Sequence, residues 1–560
     1  MAMVPSAKLA AEALIDRGVD IIFTLSGGHI TPIYSHLEHS DITLFDTRHE
    51  QAAVFMAEAY GRMTRKPGVA MVTAGPGFTN TLSAIANANM ANSPLVLISG
   101  CAGVCKCEKL DLQDAPQAPI IAPMVKRAFV CHTPSRIPEY IDMAFRTAIS
   151  GRPGPVYLEL PVDVLATQSD ESAVKRMKTT IDSHPVDRAG AAKLIEMIRA
   201  AKRPMAVAGS GAWYAGVEGE LVAFAERTGV PIFTSGMGRG LIPDGHPLCF
   251  ESAVGTRPGA VLMAQSDADL IILLGNRISL YYIFGDLFDS RAKLAQVDIA
   301  PEEIGRNHSI DLPIVSDIRG LLTECVELAD AQGLAESLPP QFAEWTAALQ
   351  VNADQSKNQV KFMWENEGVP IHAMRLAKEI DNFLDRDDDI VVADGGDTQI
   401  WMGMTRTVRG PGRYLDSGLF GCLGVGLPYA NAAQVLNPDS RVCLMIGDGS
   451  TGFNFMEFET AVRKKLPVVT VISNDLGWGM IRHSQQLRLG HAIEAGTYIG
   501  EVPYHKLVEA LGGKGLRVDK PEDIRPALEE AFASGVPTCI NVMTDPDTIS
   551  PGSIALANVY

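Results

Sequence analysis

Two aspartates follow apolar, β-rich runs in the last quarter of the chain. Residues 442–446 lead straight into Gly447-Asp448-Gly449-Ser450. Twenty-seven residues beyond Asp448 comes Ser473-Asn474-Asp475-Leu476-Gly477, again directly after an apolar run. Open α/β sheets bind ligands in the crevice at the carboxyl ends of their strands. Two carboxylates there make a hard-oxygen site of the kind Mg2+ prefers, completed by carbonyl, water and phosphate oxygens. The glycines let the backbone approach a diphosphate closely. A lone Gly-Asp-Gly is a common turn; the second aspartate at a matching strand end gives it chemical meaning. A third carboxylate, Glu50, follows the apolar run 42–45 and opens a helical segment, 51–63, rich in Ala, Phe and Met. A carboxyl walled by such neighbours shares a proton rather than losing it to water. The plainer alternative is a helix-start carboxylate favoured by the macrodipole.

The elements that position these groups follow from periodicity. Apolar runs at 19–25, 42–45, 68–73, 95–99 and 156–160 alternate with helical segments, and the first runs out through Ser26-Gly27-Gly28. Further strands are expected at 204–208, 270–274 and 294–298, then at 389–393, 442–446, 468–472 and 539–543. Continuous apolar strands alternating with helices mean parallel sheets covered on both faces. Polar stretches at 167–187, which reads as a linker, and 331–366 separate the units. The expected fold class is therefore α/β, with three consecutive open, mostly parallel-sheet domains over 1–166, 188–330 and 366–545. Residues 546–560 are expected to form an extended tail. A length of 560 residues accommodates such domains, each with its own core.

Composition removes several function classes. With 48 Lys+Arg against 66 Asp+Glu the formal charge is −18, and no basic block appears. Such a chain is a poor binder of nucleic acid or anionic membrane. No signal peptide pattern and no run of eighteen apolar residues is present, and nine dispersed cysteines suit reduced thiols in the cytoplasm. Cys101, Cys105 and Cys107 cluster without zinc-ribbon spacing and read as small buried and loop residues.

The pairing of Gly447-Asp448-Gly449 with Asn474-Asp475 resembles the thiamine-diphosphate motif shared by acetolactate synthase, pyruvate decarboxylase and oxalyl-CoA decarboxylase. The resemblance extends over the whole chain, and the three domains match that family's pyrimidine, central and diphosphate domains in order. It implies thiamine diphosphate and Mg2+ as cofactors, the metal held by the Asp448 and Asp475 side chains and the Gly477 carbonyl. The family more often carries Asn at position 475. The resemblance places Asp397, Thr398, Gly449 and Ser450 at the diphosphate, and Leu423 beneath the bent cofactor where several relatives have Met. Arg48-His49-Glu50-Gln51 with Gly75-Pro76-Gly77-Phe78-Thr79-Asn80 matches the pyrimidine domain. Glu50 is thereby implied as the carboxyl bonded to the pyrimidine N1′, with Gly28 and Asn80 also at the cofactor. Since that family spreads its cofactor over two subunits, self-association follows, a dimer at minimum and a homotetramer by expectation.

Substrate choice rests on further segments. Residues 297–307, 415–421 and Gln113-Asp114-Ala115-Pro116-Gln117 are similar to the 2-hydroxyacyl-CoA lyase and oxalyl-CoA decarboxylase branch, and the flavin segment of acetolactate synthase is missing around Gly275-Asn276-Arg277. The expected activity is cleavage of a short 2-hydroxyacyl-CoA to formyl-CoA and an aldehyde or ketone, reversible as an acyloin condensation. The alternative is an acetolactate synthase-like carboligase or 2-oxo acid decarboxylase without flavin. Gln113 and His29 are expected near the substrate. Glu494 is expected either to carry a proton during cleavage or to be an ordinary exposed helix residue. Arg239, Arg257, Arg409 and Arg413 are candidates for CoA phosphates, with surface arginines as the default. Asp298 and Asp317 are candidates for a bound nucleotide such as ADP, although a strand-end Asp capping the next helix fits Asp298 equally well. The tail at 546–560 suits a lid over the pantetheine and a frayed end equally. A non-catalytic homologue is expected to have lost Glu50 or Asp448, and both are present.

Overall fold

A computed structural model describes residues 2–180, 185–254 and 257–559, apart from the side chains of 556, 558 and 559. It contains three six-stranded sheets in which every neighbouring pair described is parallel. In the first sheet the spatial order is Thr43–Asp46, Ile21–Thr24, Gly68–Val72, Leu95–Cys101, Pro155–Pro161, Arg127–Val130. In the third it is Tyr414–Asp416, Ile390–Asp394, Val442–Gly447, Val469–Asn474, Thr538–Met543, Lys514–Val518. Counted along the chain, both read 2-1-3-4-6-5. The central sheet runs Cys249–Ser252, Ile232–Thr234, Pro204–Ala208, Leu270–Leu274, Lys293–Asp298, Leu312–Val315, that is 3-2-1-4-5-6.

Inner strands such as Leu95–Cys101, Pro155–Pro161 and Leu270–Leu274 are buried at every residue, which is why their sequences do not alternate. The edge strand Leu312–Val315 does alternate, buried then exposed. Each sheet has a point where the strand order reverses, and there the connections leave to opposite faces and open a crevice. In the first sheet this point lies between Ile21–Thr24 and Gly68–Val72. In the third it lies between Ile390–Asp394 and Val442–Gly447.

Three expectations are corrected. The stretch 167–187 is not wholly a linker, because Gln168–Asp170 pairs antiparallel with Met3–Pro5 and ties the two ends of the first domain together; residues 181–184 of that stretch lie outside the described residues. The polar stretch 331–366 contains a 22-residue helix, Ala343–Trp364. Its buried residues Trp345, Leu349 and Ala353 form one narrow stripe four residues apart, and the Trp345 indole donates to the Pro204 carbonyl at 2.9 Å. The tail is not extended: Pro551–Val559 is helical and packs on helices Gly396–Thr405 and Gly479–Leu489. Gly552 allows that approach, since a Cβ there would stand 2.0 Å from Ile400.

Arg62, 3% exposed on helix Glu50–Thr64, joins all three domains. It donates to the Asp416 carbonyl at 2.6 Å, lies over the Tyr429 ring at 5.3 Å, and its own carbonyl accepts from the Trp213 indole at 2.7 Å.

Candidate functional site

The strand Val442–Gly447 delivers Asp448 at 1% exposure, with one carboxylate oxygen accepting from the Gly449 N–H at 2.9 Å. Its Oδ2 is buried and has no hydrogen-bond partner among the described residues. Strand Val469–Asn474 delivers Asp475 beside it, bonded to Arg482 at 3.2 Å. Burial, then the neighbouring Asp475 carboxylate, pushes the Asp448 carboxyl well above its usual range. An orphaned carboxylate oxygen beside a second acid is unfavourable unless a cation lies between them. The donor set therefore fits a divalent metal. Among the described residues no three His, Cys, Asp or Glu side chains converge to cage one. Two carboxylates and a backbone carbonyl leave positions for water and phosphate, the pattern of Mg2+ sites rather than of a closed protein cage.

The turn after Asp475 is built for this. Leu476 takes a left-handed backbone with φ 67°, and Gly477 forms a bridge with Tyr498. A Cβ on Gly477 would stand 2.3 Å from the Thr497 carbonyl, and one on Gly449 would stand 2.7 Å from the Trp478 ring. Across the crevice Thr398, 7% exposed, places its hydroxyl 3.2 Å from where a Gly447 Cβ would lie. Ser450 Oγ lies 3.1 Å from the corresponding point on Gly395.

Asp397 lines the same crevice and also holds the C-terminal segment. Its Oδ2 accepts from His483 Nδ1 at 2.8 Å, and its Oδ1 accepts from the hydroxyls of Ser550 and of Ser553, the latter at 2.6 Å. His483 Nε2 faces the Pro546 carbonyl at 2.9 Å. Both ring nitrogens thus face acceptors, which favours the doubly protonated ring; the Asp397 bond raises the His483 pKa against the opposing effect of burial. Asp397 therefore anchors the C-terminal helix, and what this turn offers a phosphate is Thr398 and the first N–H groups of helix Gly396–Thr405. Removing everything after Asp547 takes away two of the donors to Asp397 and one wall of the cavity described below. The truncated protein is expected to show an apparent KM for its substrate raised about tenfold, on the scale of 1.4 kcal/mol per decade, at unchanged cofactor affinity. Steady-state kinetics with calorimetry check this, and an unchanged KM rejects a lid.

The second cluster stands at the reversal point of the first sheet. Glu50, 8% exposed, opens helix Glu50–Thr64 and accepts from the Asn80 amide at 2.9 Å. Gly77 packs beside it against Thr73: a Cβ there would stand 2.7 Å from Thr73 Cγ2 and 3.6 Å from Glu50 Oε1. His29 is half-buried, with Nδ1 3.2 Å from the Thr73 hydroxyl, and burial lowers its pKa toward the neutral ring. Gln113 takes a left-handed backbone, φ 62°, and lies against Gly75. Gly28 is exposed on the turn after strand Ile21–Thr24.

A cavity of about 1690 Å3 runs from Asp448, Asp475, Gly477, Thr398 and Leu423 into the central domain and is walled by Pro551, Gly552 and Ala555. Glu50, Asn80, His29 and Gln113 do not line it. One chain therefore presents the metal half and the Glu50 half at different places.

The CoA candidates divide. Arg239 and Arg257 line the cavity, but both donate to the Arg406 carbonyl, at 2.8 and 2.7 Å, and Arg257 pairs with Glu251. Arg413 donates to Asn437 and Arg409 to the Leu384 carbonyl, and neither lines the cavity. Asp298 and Asp317 do line it, yet each carboxylate accepts from a backbone N–H two or three residues on, Ala300 at 2.9 Å and Gly320 at 2.8 Å. Burial raises the Asp298 carboxyl to about 6. Glu494 starts the short helix Glu494–Thr497 and is exposed, away from the cavity lining.

Sequence reasoning missed Arg277 as a ligand-facing group. It lines the cavity beside Arg152, donates to the Met90 carbonyl at 2.6 Å, and forms no ion pair among the described residues. Its signal was its place after strand Leu270–Leu274, at the central sheet's own reversal point.

A three-domain α/β chain with paired carboxylates and glycine turns at strand ends suits a diphosphate-bearing cofactor held through a metal. Comparison with known families agrees. Residues 6–120 match the thiamine pyrophosphate enzyme N-terminal TPP binding domain, 191–325 the central domain and 394–542 the C-terminal TPP binding domain. The chain is 35% identical over 551 residues to a "Probable acetolactate synthase" of Mycobacterium bovis, covering 98% of this chain and 97% of that one. It is 33% identical over 568 residues to a "Probable acetolactate synthase large subunit" of Methanococcus aeolicus, covering 98% and 94%. It is 32% identical over 594 residues to "2-hydroxyacyl-CoA lyase 2" of Homo sapiens, covering 98% and 91%. The chain belongs to the thiamine pyrophosphate enzyme family.

Proposed function

We propose that the protein is a thiamine diphosphate- and Mg2+-dependent carbon–carbon lyase that cleaves a short 2-hydroxyacyl-CoA to formyl-CoA and an aldehyde or ketone, reversibly. The observation that carries this reading is the reach of the cavity. Its volume, about 1690 Å3, exceeds the roughly 300–1,000 Å3 of a site for one small ligand. It joins the metal carboxylates to Arg152 of the first domain and Arg277 of the central domain. A long ligand with a carbonyl at one end and phosphates at the other suits that shape, and guanidinium groups suit phosphate. A nucleotide such as ADP shares that phosphate chemistry and would compete for the same arginines.

Thiamine diphosphate, when bound, supplies a carbon nucleophile and holds the electron pair released by bond cleavage. The chain's own groups do the rest. Asp448, Asp475 and the Gly477 carbonyl hold the metal, and Thr398, Gly449 and Ser450 hold phosphate. Glu50 holds the proton shared with the pyrimidine N1′, and Asn80 orients its carboxylate. His29 and Gln113 face the substrate carbonyl and hydroxyl. Because the Glu50 half and the Asp448 half do not meet in one cavity, two copies of the chain complete each centre. All nine cysteines are free thiols, in keeping with a reducing compartment such as the cytoplasm. No described helix is long and apolar enough to cross a membrane.

A second reading, acetolactate synthase-like condensation of 2-oxo acids, draws on the 35% identity to a probable acetolactate synthase. Mass spectrometry separates the two. The protein is mixed with thiamine diphosphate, Mg2+ and 2-hydroxyisobutyryl-CoA or lactoyl-CoA in one tube, and with pyruvate in another. Formyl-CoA in the first supports the lyase. Acetolactate or acetaldehyde in the second alone replaces it. In the lyase, Glu494 is proposed to take the substrate hydroxyl proton and return it. Glu494→Ala is then expected to lower turnover by about 10²-fold at unchanged cofactor affinity, and wild-type turnover removes Glu494 from the mechanism.

A further inference from the structure

We infer that Gln117 is a positioning residue that sets the spacing between His29 and Gln113, an inference that rests on reading those two as substrate contacts. Gln117 is 1% exposed and opens the short helix Gln117–Ile121, directly after the loop that carries Gln113. Its Oε1 accepts from the Gly75 N–H at 2.7 Å, and its Nε2 donates to the Gly100 carbonyl at 3.0 Å and to the Tyr157 hydroxyl at 2.9 Å. A backbone N–H only donates and a carbonyl only accepts, so these partners fix which way the amide points.

The two glycines gripped by this amide are the ones against which the substrate-facing residues rest. A Cβ on Gly75 would stand 2.8 Å from Gln113 Cβ, and Gly75 has φ 59°. A Cβ on Gly100 would stand 2.4 Å from His29 Cβ. One side chain therefore spans the two surfaces that hold Gln113 and His29, and its length sets their separation. Behind it the Tyr157 hydroxyl donates to Glu159 at 2.8 Å, so the hydroxyl that receives the Gln117 N–H is itself held in place. The chain Glu159–Tyr157–Gln117 is buried throughout, where fully satisfied polar groups rigidify their surroundings. It touches neither the metal carboxylates nor Glu50. Its loss should misplace substrate groups and spare cofactor binding.

The experiment compares full-length wild type, Gln117→Leu, Gln117→Glu and Tyr157→Phe, each loaded with thiamine diphosphate and Mg2+. Amide hydrogen exchange is read for peptides covering Gly75 and residues 104–116, beside kcat, KM and cofactor affinity with both 2-hydroxyisobutyryl-CoA and pyruvate. Gln117→Leu is expected to expose the Gly75 amide to exchange and to lower kcat by about 10²-fold, the cost of misplacing a reacting group by about 1 Å, with cofactor affinity unchanged. Tyr157→Phe keeps the ring's shape, shows the same pattern more weakly, and stands in if the Leu variant fails to fold. Wild-type exchange at Gly75 and wild-type kcat in a folded variant overturn the inference. Parallel loss of cofactor affinity and kcat overturns it too, as general destabilisation. If wild type turns over neither substrate, the reading of His29 and Gln113 fails, and exchange at Gly75 and in the loop still decides whether Gln117 holds them.

Discussion

Glu50→Gln is expected to lower turnover by about 10²–10⁴-fold, the range for a positioned acid–base group, without loss of cofactor binding or fold. Gln is nearly isosteric with Glu, and its carbonyl oxygen can still accept from Asn80, so the Asn80 amide at 2.9 Å keeps a partner. What disappears is the ability to hold a proton at this place. The side chain is 8% exposed, at the start of a helix buried on all sides at Ala52, Ala53, Val54, Phe55 and Met56. Water cannot substitute for the missing carboxyl there. The check is proton exchange at thiazolium C2 followed by NMR, beside steady-state turnover. Exchange at the wild-type rate would leave Glu50 as a helix-start carboxylate and nothing more.

Asp448→Ala is expected to abolish Mg2+-dependent binding of thiamine diphosphate, weakening it by well over about 100-fold, since outer-sphere partners of metal ligands alone cost 10–100-fold. The same change should cost the metal-free protein little stability. It removes a buried acid that adjoins a second, half-buried carboxylate, and with it an unpartnered buried oxygen, and relieving such a pair offsets the packing lost. Thermal unfolding with and without Mg2+ and cofactor separates these effects. Wild type should gain stability on loading, and Asp448→Ala should gain none. A variant that still gains the wild-type increment contradicts the metal assignment. Asp475→Asn should be milder, because an amide oxygen can still face the metal.

Much of this was legible in the sequence, for identifiable reasons. The buried strands are continuous apolar runs, so strand periodicity located the sheets, and Asp448, Asp475 and Glu50 each follow one. Sequence could not show that the first and third sheets share one strand order and that both clusters occupy equivalent reversal points, since pairing is a long-range property. Helix Ala343–Trp364 was hidden because only three of its 22 residues are buried, leaving a polar composition. The tail looked extended because Pro551, Gly552 and Ser553 are poor helix formers; tertiary contacts to Asp397 and Ile400 outweigh that. Those contacts also give Asp397 a tie to the C-terminal helix that its position in the chain did not announce. Gln117 was visible only as part of a loop segment, because its importance lies in two glycine backbones far from it in sequence.

The central claim is that each active centre combines the Glu50 half of one chain with the Asp448 half of another. The direct measurement mixes two inactive proteins, Glu50→Gln and Asp448→Ala, under conditions where native mass spectrometry shows subunit exchange. Turnover of the substrate that wild type uses is then followed. A mixed dimer carries one centre with both wild-type halves, so activity should reappear to a substantial fraction of wild type. Exchanged but inactive mixtures would mean that both halves act within one chain, and the account of this site would be wrong.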